Sequence, residues 1–384
     1  MHRVRVSELL RSCIRSKKSR RTERKLIGLK SKADFQACVS HLKRQGMHPI
    51  KQFRSSSVLC CHVGKGIRFK KLIRHPGIAF VENDIKLHAH TLKRGRPSKK
   101  KAAATMRTSA SIPWNIQRVQ APRVWNATKG GAIKLAVIDT GIARHPNLRV
   151  AGGVNSMGGK SFRDDNGHGT HVAGIAAARG TGAGIIGVAP DVRLYAVKAL
   201  DRNGEGYVSD IIEGIEWCIR NGMNVINMSL GLDPNETSRA LLDAVRRARR
   251  RGIVIVASAG NDGPNSRRIS EPAAFNETIA VAASTRNNRI ASFSSRGRGI
   301  DLAAPGSRIR STWLRGGYKT LSGTSMASPH VAAGAALLLA RRARLGPSAV
   351  KKTLKANARK LQGSGTNAQG AGLLQLAPIG RADG

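Results

Sequence analysis

The first residue of chemical interest is a serine that precedes a predicted buried helix. Ser325 lies in the segment GTSMASPH (323–330), and an Ala/Leu-rich run that ends in arginines follows it. Unpaired backbone N–H groups and the helix dipole favour negative charge at such a helix start. That position suits a nucleophile that becomes part of an anionic tetrahedral intermediate. It suits an ordinary N-cap serine equally well, so other residues must decide between the two.

Four further polar residues lie at the ends of predicted strands or at the start of a predicted helix. Asp139 ends the apolar run KLAVID and Asn261 comes shortly after the run IVIVA, although each also fits a turn. His168 and His171 lie three residues apart at a helix start and could share a metal, but the third ligand and the nearby glutamate of a zinc site are missing. Together with Ser325, these residues supply a carboxylate, a base, an amide donor and a nucleophile. Those are the parts of an acyl-transfer site.

Alternating strand and helix patterns separate these residues. Short apolar runs typical of buried parallel strands alternate with amphipathic or Ala-rich helical segments after Ile112. Ser209 is predicted to cap one of these helices. The alternation predicts an α/β fold with a doubly wound, mainly parallel sheet flanked by helices. In such sheets sites gather at the carboxyl ends of strands, where Asp139 and Asn261 are expected to lie.

Four sequence blocks resemble the signature blocks of the subtilisin-like serine proteases. They are VIDTG (137–141), HGTHVAG (168–174), ASAGND (257–262) and GTSMASPH (323–330), and they occur in that family's order. The resemblance covers essentially everything after Ile112. It implies a serine endopeptidase that cleaves peptide bonds through an acyl-enzyme and needs no cofactor for the chemistry.

The resemblance also implies a role for each residue. Asp139 would orient His168, which would act as general base and acid, and Ser325 would be the nucleophile. Asn261 and the backbone N–H of Ser325 would form the oxyanion hole, and His171 would be structural.

Two short segments resemble the strands by which the family holds peptide substrates through β-augmentation. They contribute Ser229, Leu230 and Gly231 on one side and Gly204 and Gly206 on the other. Asp262 and Glu271 are expected near the pocket for the side chain that precedes the cut, where they could accept basic groups.

Four regions are predicted along the chain: a disordered basic lead (1–24), a small α+β domain (25–90), a basic linker (91–111) and the subtilisin-like domain (112–384). The segments KLIGLKS and GIAFVENDIKLHAH make the α+β domain similar to the family's inhibitory propeptide. This resemblance predicts a zymogen that cleaves itself between His90 and Ser111.

The chain is strongly basic. Its formal net charge is +45, and residues 1–110 alone carry 29 Lys/Arg against 5 Asp/Glu. The linker contains KRGRP, which resembles a minor-groove-binding AT-hook, and five arginines cluster between Arg246 and Arg251. The alternative to a protease is therefore a basic binding protein that contacts nucleic acid through the linker and this arginine face.

The sequence departs from the family's pattern at the family's strong calcium site. The family's aspartate in HPDL is Asn147 here, and the loop 179–184 offers a cation and few side-chain oxygens. Because calcium takes six to eight oxygen ligands, a structural calcium ion is in question at this site. No zinc or other metal site is predicted.

Other features of the sequence narrow the class of protein. The five cysteines are odd in number and lack metal-binding spacing, and Cys218 is expected in the core. No run of 18 apolar residues predicts a membrane span, and no apolar signal segment is visible near the first residue. The resemblance to propeptide-bearing proteases nevertheless favours export. We expect a monomer with protein and peptide substrates.

Overall fold

A computed structural model describes residues 5–15, 17–66, 70–90 and 111–380. The predicted linker with its AT-hook-like segment lies almost entirely outside these described residues. Within them, residues 5–90 form an N-terminal unit and residues 111–380 form a C-terminal body. The two pack against each other through one continuous apolar cluster.

The N-terminal unit is an antiparallel sheet with helices on one face. Its elements are α1 (Val6–Cys13), β1 (Thr22–Leu29), α2 (Lys32–Arg44), β2 (Lys51–Phe53), β3 (Val58–Gly64), α3 (Lys70–Ile73), β4 (Ile78–Asn83) and β5 (Lys86–Ala89). The sheet order is β2-β3-β1-β4. Side chains alternate between its faces: Ile27 and Cys61 pack beneath the helices, whereas Leu26 and Cys60 pack against the C-terminal body.

Helix α1 corrects the prediction for the first 24 residues. They were expected to be disordered, and this is wrong for Val6–Cys13. Val6, Leu10 and Ile14 recur at helical spacing and are buried with α2 side chains such as Phe35. The apolar stripe was not recognised because several arginines lie near its residues. These arginines do not interrupt the buried face of the helix.

The C-terminal body has the predicted doubly wound architecture. Its elements are α4 (Trp114–Arg118), β6 (Lys134–Asp139), β7 (Val150–Asn155), α5 (His168–Ala177), β8 (Arg193–Lys198), β9 (Glu205–Tyr207), α6 (Val208–Arg220), β10 (Val225–Met228), β11 (Leu230–Gly231), α7 (Arg239–Arg250), β12 (Val254–Ser258), β13 (Ile279–Ser284), β14 (Leu302–Pro305), β15 (Ile309–Thr312), β16 (Tyr318–Leu321), α8 (Thr324–Arg341), α9 (Pro347–Ala356) and α10 (Thr366–Gln369). Seven parallel strands run in the order β14-β13-β12-β10-β6-β8-β7.

Helices cover both faces of this sheet, and two of them begin at the edge where the parallel strands end. Helix α8 is buried from Thr324 to Leu339 and packs against β10, β12, β13 and α5, as expected of a helix that is apolar all round. Helices α6 and α7 pack with each other on the opposite face, where Cys218 is buried as predicted. The starts of α5 and α8 therefore meet the carboxyl ends of β6 and β12.

Two carboxylates of the N-terminal unit cap two helices of the C-terminal body. Glu82 accepts hydrogen bonds from the backbone N–H groups of Arg239 (2.9 Å) and Ala240 (3.1 Å) at the start of α7. Asp84 accepts from the N–H (2.9 Å) and the hydroxyl (2.8 Å) of Ser209 near the start of α6. Because helix starts carry unpaired donors and a positive dipole end, these contacts hold the two parts together.

Ser209 is therefore not the N-cap of α6, contrary to the prediction. The helix begins at Val208, and Tyr207 occupies the cap position with its backbone N–H bound to Asp210 (3.1 Å). The serine hydroxyl is free to bond Asp84 because the cap lies two residues earlier.

The segment GIAFVENDIKLHA contains two strands. Strand β4 belongs to the sheet of the N-terminal unit, whereas β5 leaves it and inserts between β9 and β11. The break falls at Asp84, whose side chain is turned into the interface and paired with Arg24 (2.7 Å). Within the described ranges, no helix has the length and apolar content needed to cross a bilayer.

Candidate active site

Asp139 and His168 form a buried pair at the carboxyl end of β6. The imidazole Nδ1 lies 2.7 and 2.9 Å from the two carboxylate oxygens. Asp139 is fully buried, and His168 is 3% exposed as the first residue of α5. An Nδ1–H that donates to the carboxylate leaves Nε2 as an acceptor, and Nε2 is buried without a partner. This is the geometry of an oriented general base.

A second layer of polar contacts, not predicted from the sequence, fixes this pair. Asp164 accepts hydrogen bonds from the hydroxyls of Thr140 (2.9 Å) and Thr170 (2.6 Å). The Thr140 oxygen in turn accepts the backbone N–H of Gly169 (2.9 Å). Asp164 thereby joins the residue after β6 to the first turn of α5. An aspartate just before GHGTH is a weak signal, because most loop aspartates are solvated.

Ser325 is the second residue of α8 and is fully buried. Its hydroxyl donates to the carbonyl oxygen of Ser229 (2.9 Å) rather than to His168. In this structure the hydroxyl is thus held by Ser229, the residue before β11. Proton transfer to His168 requires the hydroxyl to leave that carbonyl oxygen.

Asn261 borders the same space. Its Oδ1 accepts from the backbone N–H (2.9 Å) and hydroxyl (3.0 Å) of Thr324, which fixes the amide, and its Nδ2 is buried without a partner. A Cβ built on Gly323 would lie 3.3 Å from this Nδ2 and 2.4 Å from the carbonyl oxygen of His90. A carbonyl oxygen and an unused amide donor therefore both lie near the position that a side chain at residue 323 would occupy, and a side chain would not fit there.

That carbonyl belongs to the end of the N-terminal unit, residues 86–90, here called the tail. Strand β5 pairs antiparallel with β9 and with β11, with Leu87 opposite Gly206 and Ala89 opposite Leu230. The N–H of Ala89 donates to Gly204 (3.0 Å), and the N–H of His90 donates to Ser229 (3.3 Å). All five residues expected to hold substrate therefore lie along the tail, with Gly231 opposite His88.

Comparison with known proteins places this arrangement in a family. A family model described as "Subtilase family" matches residues 130–372. The chain belongs to the subtilase family. It is accordingly a serine endopeptidase, as the resemblance predicted.

Individual proteases are also similar to this subtilase. It is 46% identical over 266 residues to Subtilisin BL and to Subtilisin Savinase, both of Lederbergia lenta, which covers 69% of this chain and 97% of each relative. It is 41% identical over 309 residues to the Minor extracellular protease Epr of Bacillus subtilis (strain 168), covering 80% of this chain. The alignment spans 47% of the length of Epr.

His171 lies apart from the reacting groups of the subtilase. Its Nε2 bonds the carbonyl oxygens of Ile309 (3.1 Å) and Lys319 (3.0 Å). Burial, with the nearby charge of His168, lowers its pKa to about 3, so the ring stays neutral. Its contacts join α5 to the β15–β16 hairpin, and the described ranges contain no group of three metal-binding side chains.

The residues at the family's calcium position do not fit that ion. Asn147 accepts the hydroxyl of Thr181 (2.7 Å) through Oδ1, and its Nδ2 donates to the hydroxyl of Tyr318. A Cβ on Gly184 would lie 2.4 Å from Asn147 Oδ1, so the loop closes directly onto the amide. Amide nitrogen and hydroxyl donors occupy the places where calcium would need oxygen acceptors.

The arginine face predicted at the end of α7 is partly used within the chain. Arg247 pairs with Glu216 (2.6 Å), and Arg246 pairs with Glu277 (2.8 Å). Arg249 donates to Ser348 (2.7 Å). These contacts stabilise the packing of α7 and leave fewer cations for an acidic partner.

Asp262 and Glu271 differ in their relation to the tail. Asp262 lines the small cavity beside His90 and accepts the hydroxyl of Ser295 (3.0 Å). Glu271 instead accepts the backbone N–H of Ser238 (2.9 Å) and is not among the residues lining that cavity.

Proposed function

We propose that Asp139, His168 and Ser325 act together as the catalytic triad of this endopeptidase. Ser325 Oγ transfers its proton to His168 Nε2 as it attacks the substrate carbonyl carbon. Asp139 stabilises the imidazolium that forms, and this imidazolium then protonates the leaving amine. Water hydrolyses the resulting ester by the same route, with His168 again acting as the base.

Asn261 and the backbone N–H of Ser325 are proposed to bind the oxyanion. The observation that carries the assignment is the pair of buried, unpartnered atoms, His168 Nε2 and Asn261 Nδ2. Buried polar groups are normally satisfied. Other buried side chains also lack a partner, but His168 is held by Asp139 and Asn261 Nδ2 lies near the carbonyl oxygen of His90, so we assign these two atoms to a reaction partner. One needs a donor and the other an acceptor, which an attacking hydroxyl and an oxyanion supply.

The N-terminal unit is proposed to be an intramolecular inhibitor of the same site. Its tail occupies the strands that would hold substrate, and Glu82 and Asp84 attach it to α7 and α6. An inhibitor bound in this way would also assist folding, because it buries the same apolar cluster as the mature body.

Replacement of Ser325 by Ala tests the function. The variant is expected to remain a full-length chain and to leave casein uncleaved, whereas the unmodified chain processes itself and hydrolyses casein. A Ser325→Ala chain that still processes itself and cleaves casein would refute the assignment. The midpoint of thermal unfolding checks that the variant is folded.

A further inference from the structure

We propose that this subtilase cuts itself at the His90–Thr91 bond and that Ser258 selects a neutral histidine as the residue before the cut. The proposal rests on the proposed function and adds to it a bond, a side-chain preference and the residue that sets it. Three independent observations carry it: the register of the tail, the position of a carbonyl oxygen and the partner of a buried hydroxyl.

The register of the tail ends at the catalytic residues. His88 lies opposite Gly231 and Ala89 opposite Leu230, so His90 is the next residue along the same pairing. The carbonyl oxygen of Ser229 accepts both the His90 N–H (3.3 Å) and the Ser325 hydroxyl (2.9 Å). One acceptor therefore places the nucleophile beside the backbone of His90.

The carbonyl group of His90 lies where the reaction needs it. Its oxygen is near Gly323 at the start of α8, on the side where Asn261 Nδ2 is unpartnered. Attack by Ser325 Oγ on this carbonyl carbon would break the bond to the nitrogen of Thr91, with His168 passing the serine proton to the leaving amine. Water would then release His90 as a free carboxylate and restore the serine.

The side chain of His90 fills a polar pocket. Its Nδ1 is 2.8 Å from the hydroxyl of Ser258, the last residue of β12. A Cβ on Gly231 would lie 2.6 Å from the ring Nε2 and 2.7 Å from the Cβ of Ser270. A glycine at 231 thus leaves room for the ring, and serines lie on its other sides.

Ser258 gives this pocket its selectivity. The residue is fully buried, and His90 is the partner that the described residues provide for its hydroxyl. A phenylalanine or leucine at the same place would leave the hydroxyl unpaired in an enclosed site. Sites built around a hydrogen bond discriminate against analogues that lack the bonding group, because the buried polar group is then unsatisfied.

The bond is tested first on the complete chain. Mass spectrometry of the earliest fragments, with N-terminal sequencing, is expected to give one fragment that ends at His90 and one that begins at Thr91. A first cut at any other bond, for example near Ser111, would overturn the inference while leaving the proposed function intact. A chain that never processes itself or cleaves casein would instead refute the proposed function.

The preference is tested with peptides that differ only in the residue before the cut, His or Phe, at pH 8. The unmodified enzyme is expected to have the higher kcat/KM for the His peptide. Ser258→Ala is expected to lower the His-to-Phe ratio of kcat/KM by about 2- to 10-fold, the usual value of one hydrogen bond. A ratio unchanged by Ser258→Ala, or a Phe preference in the unmodified enzyme, would contradict the role of Ser258.

Discussion

In the proposed mechanism the chemistry depends most directly on two atoms, His168 Nε2 and Asn261 Nδ2. An unsatisfied buried polar atom costs about 1–3 kcal/mol, so the fold pays for both before any substrate arrives. Asp139 and Thr324 hold the other ends of the two side chains through hydrogen bonds of 2.7 to 3.0 Å. The His168 and Asn261 side chains are therefore preorganised, and substrate need not reorient them.

Asn261→Ala should lower kcat with little change in KM, because the amide bonds the oxyanion and not the ground-state substrate. The expected loss is about 10²–10³, the value established for the corresponding asparagine of a subtilisin and carried over here by analogy. Steady-state kinetics on a His-containing peptide measures it, with the thermal midpoint as a control for folding. A change confined to KM would contradict the oxyanion role.

The tail histidine makes docking of the tail depend on pH. Burial, followed by the charge of His168, lowers the pKa of His90 to about 3 from an ordinary 6.5, while a hydrogen bond to Ser258 opposes the shift. The charged form is thus disfavoured in the docked state. Docking is strongest above pH 6.5 and weakens as the pH falls towards 3. His88 also lies beside the ring, and Asp262 lines the adjoining cavity.

Hydrogen exchange of the Ala89 and His90 amides in an uncleaved Ser325→Ala chain measures this dependence. The opening equilibrium should rise up to about 30-fold between pH 8 and pH 5, because the free ring, with a pKa of 6.5, becomes protonated over this range and the docked ring, with a pKa of about 3, does not. A chain that also carries His90→Gln retains a neutral polar group at this position and should show a much smaller rise. Equal responses of the two chains would show that His90 does not titrate between docked and free states.

At the scale of elements, the contact between the two units depends on helix starts. Helices α6 and α7 present unpaired donors to the same face, and carboxylates from the end of β4 and from the turn before β5 bind them. The tail then continues from this anchor into the cleft. If the unit acts as the proposed inhibitor, the strength of inhibition is therefore set partly outside the cleft.

Glu82→Ala and Asp84→Ala should each weaken this anchor. Each removes a carboxylate acceptor from a helix start, buried in the case of Asp84 and half-buried in the case of Glu82, which costs about 1–3 kcal/mol and hence up to about 100-fold in affinity. The N-terminal fragment should separate sooner on size exclusion, and casein hydrolysis should begin after a shorter lag. Glu23→Ala is the matched control, because Glu23 is on β1 of the same unit and pairs with Lys25 (3.0 Å). An unchanged lag in the Glu82 variant would argue against anchoring.

Periodic elements could be predicted from the sequence, and elements made by another part of the chain could not. KLAVID and the Ala-rich run after Ser325 have patterns that match their buried surroundings, and both are where they were expected. Strands β9 and β11 are three and two residues long, and each pairs with β5 from the N-terminal unit. Neither has a local sequence pattern from which a strand could be predicted. Likewise Asp84 bonds Ser209 and Asp164 bonds Thr140 across long stretches of sequence, and the site's polar support was missed for that reason.

The whole molecule carries its positive charge in both parts. Cleavage after His90 would separate an N-terminal fragment with 22 Lys/Arg and 5 Asp/Glu from a body with 45 and 17. Like charges of this size repel across the interface, and salt screens them. The local carboxylate caps act against this repulsion.

Removal of divalent metal ions should not change the thermal stability of the whole molecule, because the Asn147 loop is not expected to bind calcium. A chelator is expected to leave the thermal midpoint where it was, because amide and hydroxyl hydrogen bonds close this loop. Asn147→Asp is the informative variant: it should be less stable without calcium and should gain stability when calcium is added. A large fall in the midpoint of the unmodified chain on chelation would contradict this account of the loop.

The insertion of β5 between β9 and β11 has a further consequence for the released enzyme. If the proposed cleavage releases the tail, the backbone groups of both strands that paired with it would become free edges, which can template pairing with any extended chain. The feature that lets the enzyme capture peptides is thus also an aggregation hazard. The tail shields these edges while the body folds, and in the mature enzyme substrates or other proteins must compete for them.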